Sequence, residues 1–173
     1  MAREELDLKS LQLDALDLTR RCILVTAGSL KDSQFNSMTV NWGFFGTMWY
    51  EPTALLVIRP SRYTFEFIEK CDDFTLTILP EEYKNVYALM GSKSGRDSDK
   101  MAVSPLTPMA SKEVESPSYA EACFTLECKK CYVGDLQAEG ILDQHIIDHD
   151  YPQGDFHKIV MGRIVRAWKT EKF

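Results

Sequence analysis

A mainly β protein with short helices, built on an antiparallel sheet or barrel, is the fold class that this sequence predicts. Six or so segments show the apolar runs or the two-residue alternation of strands, and most of them follow one another without a long helix between them. The sequence contains no internal repeat and no low-complexity tract. Because 173 residues suffice for one domain with a full core and are few for two, we expect a single domain over residues 1–173.

The predicted elements follow from local patterns along the chain. A short amphipathic opening segment has leucines that mix helical and strand spacing: Leu11, Leu13, Leu16 and Leu18. Buried strands are indicated at "CILVTAG" (22–28) and "TALLVI" (53–58), and an alternating strand at "FTLTIL" (74–79). Two long strands come later, "EACFTLECKKCYVGDL" (121–136) and "HKIVMGRIVRAW" (157–168). Helices are predicted at "TFEFIEKC" (from 64) and at "EEYKNVYALM" (81–90), where Gly91 ends the helix.

The strand "NSMTVNWG", from Asn36, carries two contrasting faces. Its apolar face contains Met38, Val40 and Trp42, and its other face contains Ser37, Thr39 and Asn41. The small polar side chains indicate a face turned either to water or to a flat ligand with polar edges. The segment "GFFGTMWYEP" then reads as a loop rich in glycine and aromatic residues, and so much apolar surface predicts a ligand lid or a subunit contact.

Charge and cysteine content exclude several classes of protein. The net charge of -6, without a basic stripe, argues against general binding to nucleic acid or to anionic membranes. No apolar segment is long enough to cross a bilayer, and the N-terminus lacks the pattern of a signal peptide. Five cysteines, an odd number without an export signal, predict reduced thiols in the cytoplasm.

Two polar segments are candidates for binding an anion. In "RPSRYTFEFIEK" a strand leads directly into a helix, so Ser61 or Thr64 can cap the helix, or its free N–H groups and Arg62 can bind a phosphate. In "GSKSGRDSDK" (91–100), lysine and serine donors can wrap a phosphate, or Ser98 or Asp97 can cap a short helix. Taken one at a time, both segments are explained as well by ordinary caps and solvated loops.

Two further motifs contain residue types used in thiol or metal chemistry, but a structural role explains each of them more simply. "CKKC" (Cys128 to Cys131) lies in a predicted strand, where positions i and i+3 face opposite sides, so core and surface cysteines are expected. "DQHIIDHD" places His145 and His149 four residues apart, which suits two metal ligands on a helix. Without a third fixed ligand, a solvated acidic connection is the preferred interpretation.

The order of these segments resembles the flavin reductase-like family of FMN-binding split β-barrels, and within it the flavoredoxin-like branch. The segments that carry the resemblance are "NSMTVNWG", "PSRYT", "SGRDSDK" and "HKIVMGRI", and it extends over a core of about residues 22–168. The resemblance implies an antiparallel Greek-key split β-barrel that binds FMN.

Site residues are carried over from the family by position. The resemblance implies that one strand lies along the isoalloxazine ring, that the next turn holds the phosphate, and that a loop adds phosphate or ribityl contacts. The implied cofactor-binding residues are Ser37, Met38, Thr39, Val40, Asn41, Ser61, Arg62, Tyr63, Thr64, Lys93, Ser94 and Lys100. His157 is implied to lie near the flavin, where we expect it to position groups rather than to act as an acid or base.

The resemblance implies an NAD(P)H-dependent flavin reductase, with NADH or NADPH as hydride donor and a homodimer as the assembly. Two alternatives stay open. One is a flavoredoxin-type electron carrier with bound FMN, which takes electrons from a redox protein partner. The other is a non-catalytic flavin-binding module. No Walker loop, dinucleotide-binding glycine motif or catalytic-triad signature points to another activity.

Overall fold

The computed structural model describes residues 2–13 and 21–173. Strands in these residues are β1 (Glu4–Glu5), β2 (Ile23–Ser29), β3 (Gln34–Val40), β4 (Gly43–Met48), β5 (Glu51–Ile58), β6 (Asp73–Ile78), β7 (Pro108–Met109), β8 (Ser118–Tyr119), β9 (Phe124–Asp135) and β10 (Lys158–Lys169). Helices are α1 (Tyr63–Lys70), α2 (Lys84–Ser92) and α3 (Gln144–Asp150). The second half of the predicted opening segment, with Leu16 and Leu18, lies outside the described residues.

One antiparallel sheet organises the chain, with its strands in the order β3-β2-β6-β9-β10-β5-β4. Strand β1 pairs with the C-terminal end of β10, and β7 and β8 form a separate two-stranded sheet. The sheet contains three hairpins of sequential strands, β2–β3, β4–β5 and β9–β10, and longer connections place β6 between β2 and β9. The predicted antiparallel fold, a split barrel with short helices, is confirmed.

Two apolar clusters lie on opposite sides of this sheet. The larger cluster fills the barrel with residues from β2, β5, β6, β9, β10 and α1, including Ile23, Leu56, Phe74 and Ile164. The smaller cluster lies beneath α2 and contains Leu24, Val86, Met90 and Tyr119. Strand β2 contributes to both clusters, which explains why its sequence is a continuous apolar run rather than an alternating one.

The aromatic segment after β3 is a strand, so its prediction as a loop is wrong. Strand β4 pairs with β5 from Gly43 opposite Leu56 to Met48 opposite Glu51, and it forms an edge of the sheet. A two-residue turn at Trp49 and Tyr50 joins the two strands, with both residues at positive φ (52° and 63°). The turn has the left-handed backbone of a tight hairpin.

Other elements follow their predictions with small differences. Helix α2 continues through Gly91 to Ser92 and is preceded by a 3-10 turn at Glu81–Tyr83. Cys128 is buried and Cys131 exposed, as expected for a strand, and all five cysteines are free. The segment "DQHIIDHD" forms α3, and its His145 and His149 are exposed, as expected for a solvated acidic connection. In the described part of the chain, no helix is long and apolar enough to span a membrane.

Candidate functional site

A polar cleft opens where the start of α1, the beginning of β3 and the loop after α2 meet. Its volume is about 410 Å³, and its lining includes Asn36, Tyr63, Arg96 and Lys100. This volume lies within the usual range for small-molecule sites. The cleft therefore brings together the two anion-binding segments that the sequence offered separately.

Lys100 is the most unusual residue of this cleft. The residue is only 3% exposed, and its ammonium group donates to the backbone carbonyls of Met90 (3.2 Å) and Lys93 (3.3 Å) at the end of α2. Burial lowers the pKa of Lys100 to about 8, and the charge of Arg62 contributes in the same direction. Within the described residues this ammonium group has no carboxylate partner, and an unpaired buried charge is energetically costly, so a bound anion would stabilise it.

Arg62 supplies a second positive charge at the first turn of α1. The residue is exposed, and within the described residues its guanidinium forms no hydrogen bond or ion pair. Arg62 is also the N-cap position of α1, where no side chain caps the free N–H groups. The alternative in which Ser61 or Thr64 caps the helix does not hold, because Ser61 donates to Asp155 (2.9 Å) and Thr64 accepts from Asn36 (2.7 Å). An uncapped helix start beside two cations suits a phosphate group.

Arg96 attaches the loop after α2 to the start of α1. Its guanidinium pairs with Glu66, donates to the carbonyl of Ser61 (3.0 Å) and lies 5.2 Å from the ring centroid of Tyr63. Gly95 makes this close approach possible, because a Cβ atom there would lie 2.6 Å from Oδ1 of Asn36. Ser94 accepts a hydrogen bond from the N–H of Arg96 (3.2 Å), and Lys93 is exposed. The loop is thus held in place, with Lys100 directed inward.

The polar face of β3 differs from its prediction. The hydroxyl of Ser37 is bonded to Thr26 (2.6 Å) and to Tyr119, and the hydroxyl of Thr39 donates to the carbonyl of Tyr87 (2.7 Å) on α2. This face is therefore covered by α2 and the segment around β8. Ser37 and Thr39 do not present free hydroxyl groups to a ligand, because both groups are already satisfied inside the protein.

A smaller cavity of about 140 Å³ adjoins the end of β3. The end of β5, Arg62 and His157 form one part of its lining. The other part comes from β3 and the turn after it, with Met38, Thr39, Val40, Asn41 and Trp42. Four of the five predicted β3 residues therefore lie together with Arg62 and His157, and Ser37 does not. We expect the β3 residues to act there through backbone groups and the side chains of Met38 and Asn41.

His157 is held rigidly at the edge of this cavity. The residue is 8% exposed, its Nδ1 lies 2.7 Å from the hydroxyl of Tyr151, and its ring centroid lies 4.9 Å from that of Trp42. Burial lowers the pKa of His157, and the charges of Arg59 and Arg62 act in the same direction. The imidazole is therefore neutral at pH 7.

Arg59 links the end of β5 to the connection that precedes β10. Its guanidinium donates to the carbonyls of Asp150 (2.5 Å) and Asp155 (3.0 Å), pairs with the carboxylate of Asp155 (3.5 Å) and lies over the ring of Tyr151 (5.2 Å). These contacts place Tyr151 and His157 beside the start of α1.

Sequence reasoning missed five residues of the site: Trp42, Arg59, Arg96, Tyr151 and Asp155. Trp42 was assigned to the core face of β3 but is 46% exposed and packs on His157. Arg96 was noted only as part of a polar loop. For Arg59 and Asp155, 96 residues apart, no local pattern predicts the contact. An arginine directly after a buried strand was the only available signal.

Comparison with known proteins places this chain in a family. The family model described as "Flavin reductase like domain" matches residues 16–172. The chain therefore belongs to the flavin reductase-like domain family. An uncharacterised protein of Archaeoglobus fulgidus is 32% identical over 110 residues, which make up 63% of this chain and 59% of that relative. The match thus spans less than two thirds of the relative's length.

Solved structures share the fold. The flavoredoxin of Desulfovibrio vulgaris (Miyazaki F) superposes with a TM-score of 0.68 at 22% identity, covering 87% of this chain and 70% of that one. An FMN-binding domain of a flavin reductase-like enzyme from Shewanella baltica gives 0.67 at 18% identity, covering 97% and 77%. An NADH:FAD oxidoreductase of Streptomyces globisporus gives 0.63 at 17% identity, covering 87% and 75%.

Proposed function

We propose that the cleft binds FMN and that the chain acts as an NAD(P)H-dependent flavin oxidoreductase. The observation that carries this proposal is Lys100, whose buried ammonium group interacts with the charge of Arg62 and, within the described residues, has only backbone carbonyls as partners. Family membership and FMN-binding structural relatives support the choice of a flavin nucleotide over other anions. Two charge-assisted contacts to a phosphate would contribute about 1.5–3 kcal/mol each.

The residues present fit this cofactor. Arg62, Lys100 and the N–H groups at the start of α1 would hold the phosphate, and Met38 to Asn41 would border the ring. A bound flavin supplies the capacity to accept a hydride from a nicotinamide nucleotide and to pass the electrons onward. Trp42 and the rigidly held His157 would exclude water from one side of the site and fix the geometry there.

A titration with two flavins tests the phosphate assignment. Arg62→Ala should weaken FMN binding about tenfold to a hundredfold and leave riboflavin, which lacks the phosphate, nearly unchanged. Flavin fluorescence measures both affinities. Equal losses for the two ligands would contradict a phosphate role for Arg62, and no uptake of either flavin would remove the proposal altogether.

An electron carrier is the second candidate, because two flavoredoxins are among the structural relatives. Such a carrier would hold FMN at the same site and receive electrons from a redox protein. Anaerobic stopped-flow mixing of the FMN-loaded protein with NADH and with NADPH separates the two functions. Bleaching of the flavin absorbance by either nucleotide supports the reductase, whereas the absence of bleaching with NADH and also with NADPH supports the carrier.

We also propose that the chain forms a homodimer through the outer face of strands β4, β5, β10 and β9. Register places Phe44 opposite Leu55, Leu55 opposite Met161, and Met161 opposite Tyr132, in one row across four strands. Phe44 is 70% exposed, Met48 and Tyr132 are each more than 40% exposed, Leu55 is half-buried, and Met161 is buried between its neighbours. An apolar sheet face of this kind favours burial against a second copy.

Phe44→Glu should convert the dimer to a monomer, because a charge within an apolar contact would be buried without a partner. Light scattering coupled to size exclusion measures the mass. Val103→Glu is the matched control, because Val103 is also exposed but lies in the loop after α2. A wild-type chain that is monomeric at all concentrations would refute the dimer.

A further inference from the structure

We propose that Tyr151 is a positioning residue that holds His157 in the Nε2–H tautomer, so that His157 offers a hydrogen-bond donor to the cavity beside Arg62. The proposal rests on the proposed function for the identity of the ligand only. The tautomer is a property of the free chain.

Geometry fixes the pair of side chains. The hydroxyl of Tyr151 lies 2.7 Å from Nδ1 of His157, and the two rings meet edge to face with centroids 5.5 Å apart. Both residues are buried, at 5% and 8% exposure. Trp42 also packs against the imidazole, with ring centroids 4.9 Å apart, and Arg59 lies over the ring of Tyr151. The imidazole therefore has little freedom to turn.

Hydrogen-bond accounting decides the direction of this bond. Among the described residues, Nδ1 is the only partner of the Tyr151 hydroxyl. If Nδ1 carried the proton and donated to Tyr151, the hydroxyl proton of Tyr151 would lack an acceptor among these residues, whereas a proton on Nε2 lies at the cavity, where solvent or a ligand can accept it. The hydroxyl of Tyr151 therefore donates to Nδ1, and the ring proton resides on Nε2.

The surrounding charges keep both groups in the protonation states that this bond needs. Arg59, Arg62, Asp150 and Asp155 act on the imidazole. Burial and the two arginines lower the pKa of His157, so that the ring is neutral at pH 7. Burial raises the pKa of Tyr151, which keeps its hydroxyl protonated.

The donor at Nε2 determines which ligand groups are accepted. Within the described residues Nε2 has no partner, and His157 lines the cavity beside Arg62. The geometry thus selects a ligand that places a carbonyl oxygen or an unprotonated ring nitrogen against His157. The pyrimidine edge of a flavin carries both kinds of acceptor.

Long-range 1H–15N correlation spectra of the flavin-free protein at pH 7 test the tautomer directly. The expected spectrum shows Nε2 of His157 as the protonated nitrogen and Nδ1 as the unprotonated one. His145 and His149, the only other histidines of the chain, are exposed and provide internal references. A His157 ring protonated at Nδ1, or exchanging between the two tautomers, would overturn the proposal.

Substitution of Tyr151 provides a second readout. In Tyr151→Phe the single-tautomer pattern should be lost, and the pKa of His157 should rise towards its ordinary value, because the neutral ring loses an accepted bond. Tyr83→Phe, in the cluster beneath α2, is the control and should change neither property. An unaltered His157 spectrum in Tyr151→Phe would refute the positioning role. Because these spectra need no flavin, their outcome is independent of whether FMN binds.

Discussion

The lowered pKa of Lys100 makes the discrimination between FMN and riboflavin depend on pH. With a pKa of about 8 in the free protein, Lys100 is mostly charged at pH 7, and about one molecule in eleven keeps the charge at pH 9. A phosphate stabilises the charged form, so binding is strongest below pH 8 and weakens above it. If only the charged form holds the phosphate, FMN affinity falls about tenfold from pH 7 to pH 9, which corresponds to about 1.4 kcal/mol.

Fluorescence titrations of FMN and riboflavin at pH 7, 8 and 9 and constant ionic strength measure this effect. The phosphate has its second pKa at about 6 and stays doubly ionised throughout, so the ratio of the two affinities reports Lys100. Lys100→Gln keeps a donor for the carbonyl of Met90 but removes the charge, and it should bind FMN weakly at every pH. An affinity ratio that is constant over this range in the wild-type chain, or that falls equally in Lys100→Gln, would refute the reasoning.

Three further predictions concern packing and reactivity. Gly95→Ala should cost about 1–3 kcal/mol of unfolding free energy, because its Cβ would meet Asn36 and Tyr63, whereas Gly140→Ala, with open space around it, should cost much less; urea denaturation compares the two. Glu127→Gln should destabilise the fold by about 3 kcal/mol, because it removes the buried charged partner of Arg166. Arg166 is 8% exposed, and its guanidinium lies 2.6 Å from the carboxylate of Glu127. Glu4→Gln, in an exposed pair with Lys169, is the control and should change the stability little. A thiol reagent should modify Cys131 in the native protein and spare Cys128, because burial and the nearby Glu127 strongly raise the pKa of Cys128; labelling of both at equal rates, read by peptide mass spectrometry, would contradict the buried position.

The strands were predictable because their signals are local. Continuous apolar runs predicted β2 and β5, and these strands are buried on both faces or nearly so. Strand β4 was missed because it lies at an edge, where both faces are partly exposed and the sequence need not alternate. Glycines at 43 and 46 strengthened the impression of a loop.

Local sequence patterns indicated the charged residues of the site, whereas the hydroxyl groups of β3 suit two different surroundings. Arg62 and Lys100 lie close enough for the charge of Arg62 to act on Lys100, in line with what the two polar segments suggested. The hydroxyl groups of Ser37 and Thr39 are bonded inside the protein, because a strand face that lies under a helix needs the same small polar side chains as a face toward a ligand. Their contact with a flavin stays a prediction. The contacts of Arg59 join residues almost one hundred positions apart, and a single sequence contains no signal for such pairs.

The turn at Trp49 and Tyr50 has a consequence for engineering this chain. Asparagine and glycine adopt the left-handed backbone of such a turn easily, whereas each large L-residue there costs about 1 kcal/mol or more. A chain carrying Asn-Gly at these positions should be more thermostable as an isolated subunit. It would also lose two of the most exposed aromatic side chains of the fold. At this hairpin the residues that favour the turn and the exposed aromatic residues exclude each other. A screen that selects on melting temperature alone would therefore remove Trp49 and Tyr50.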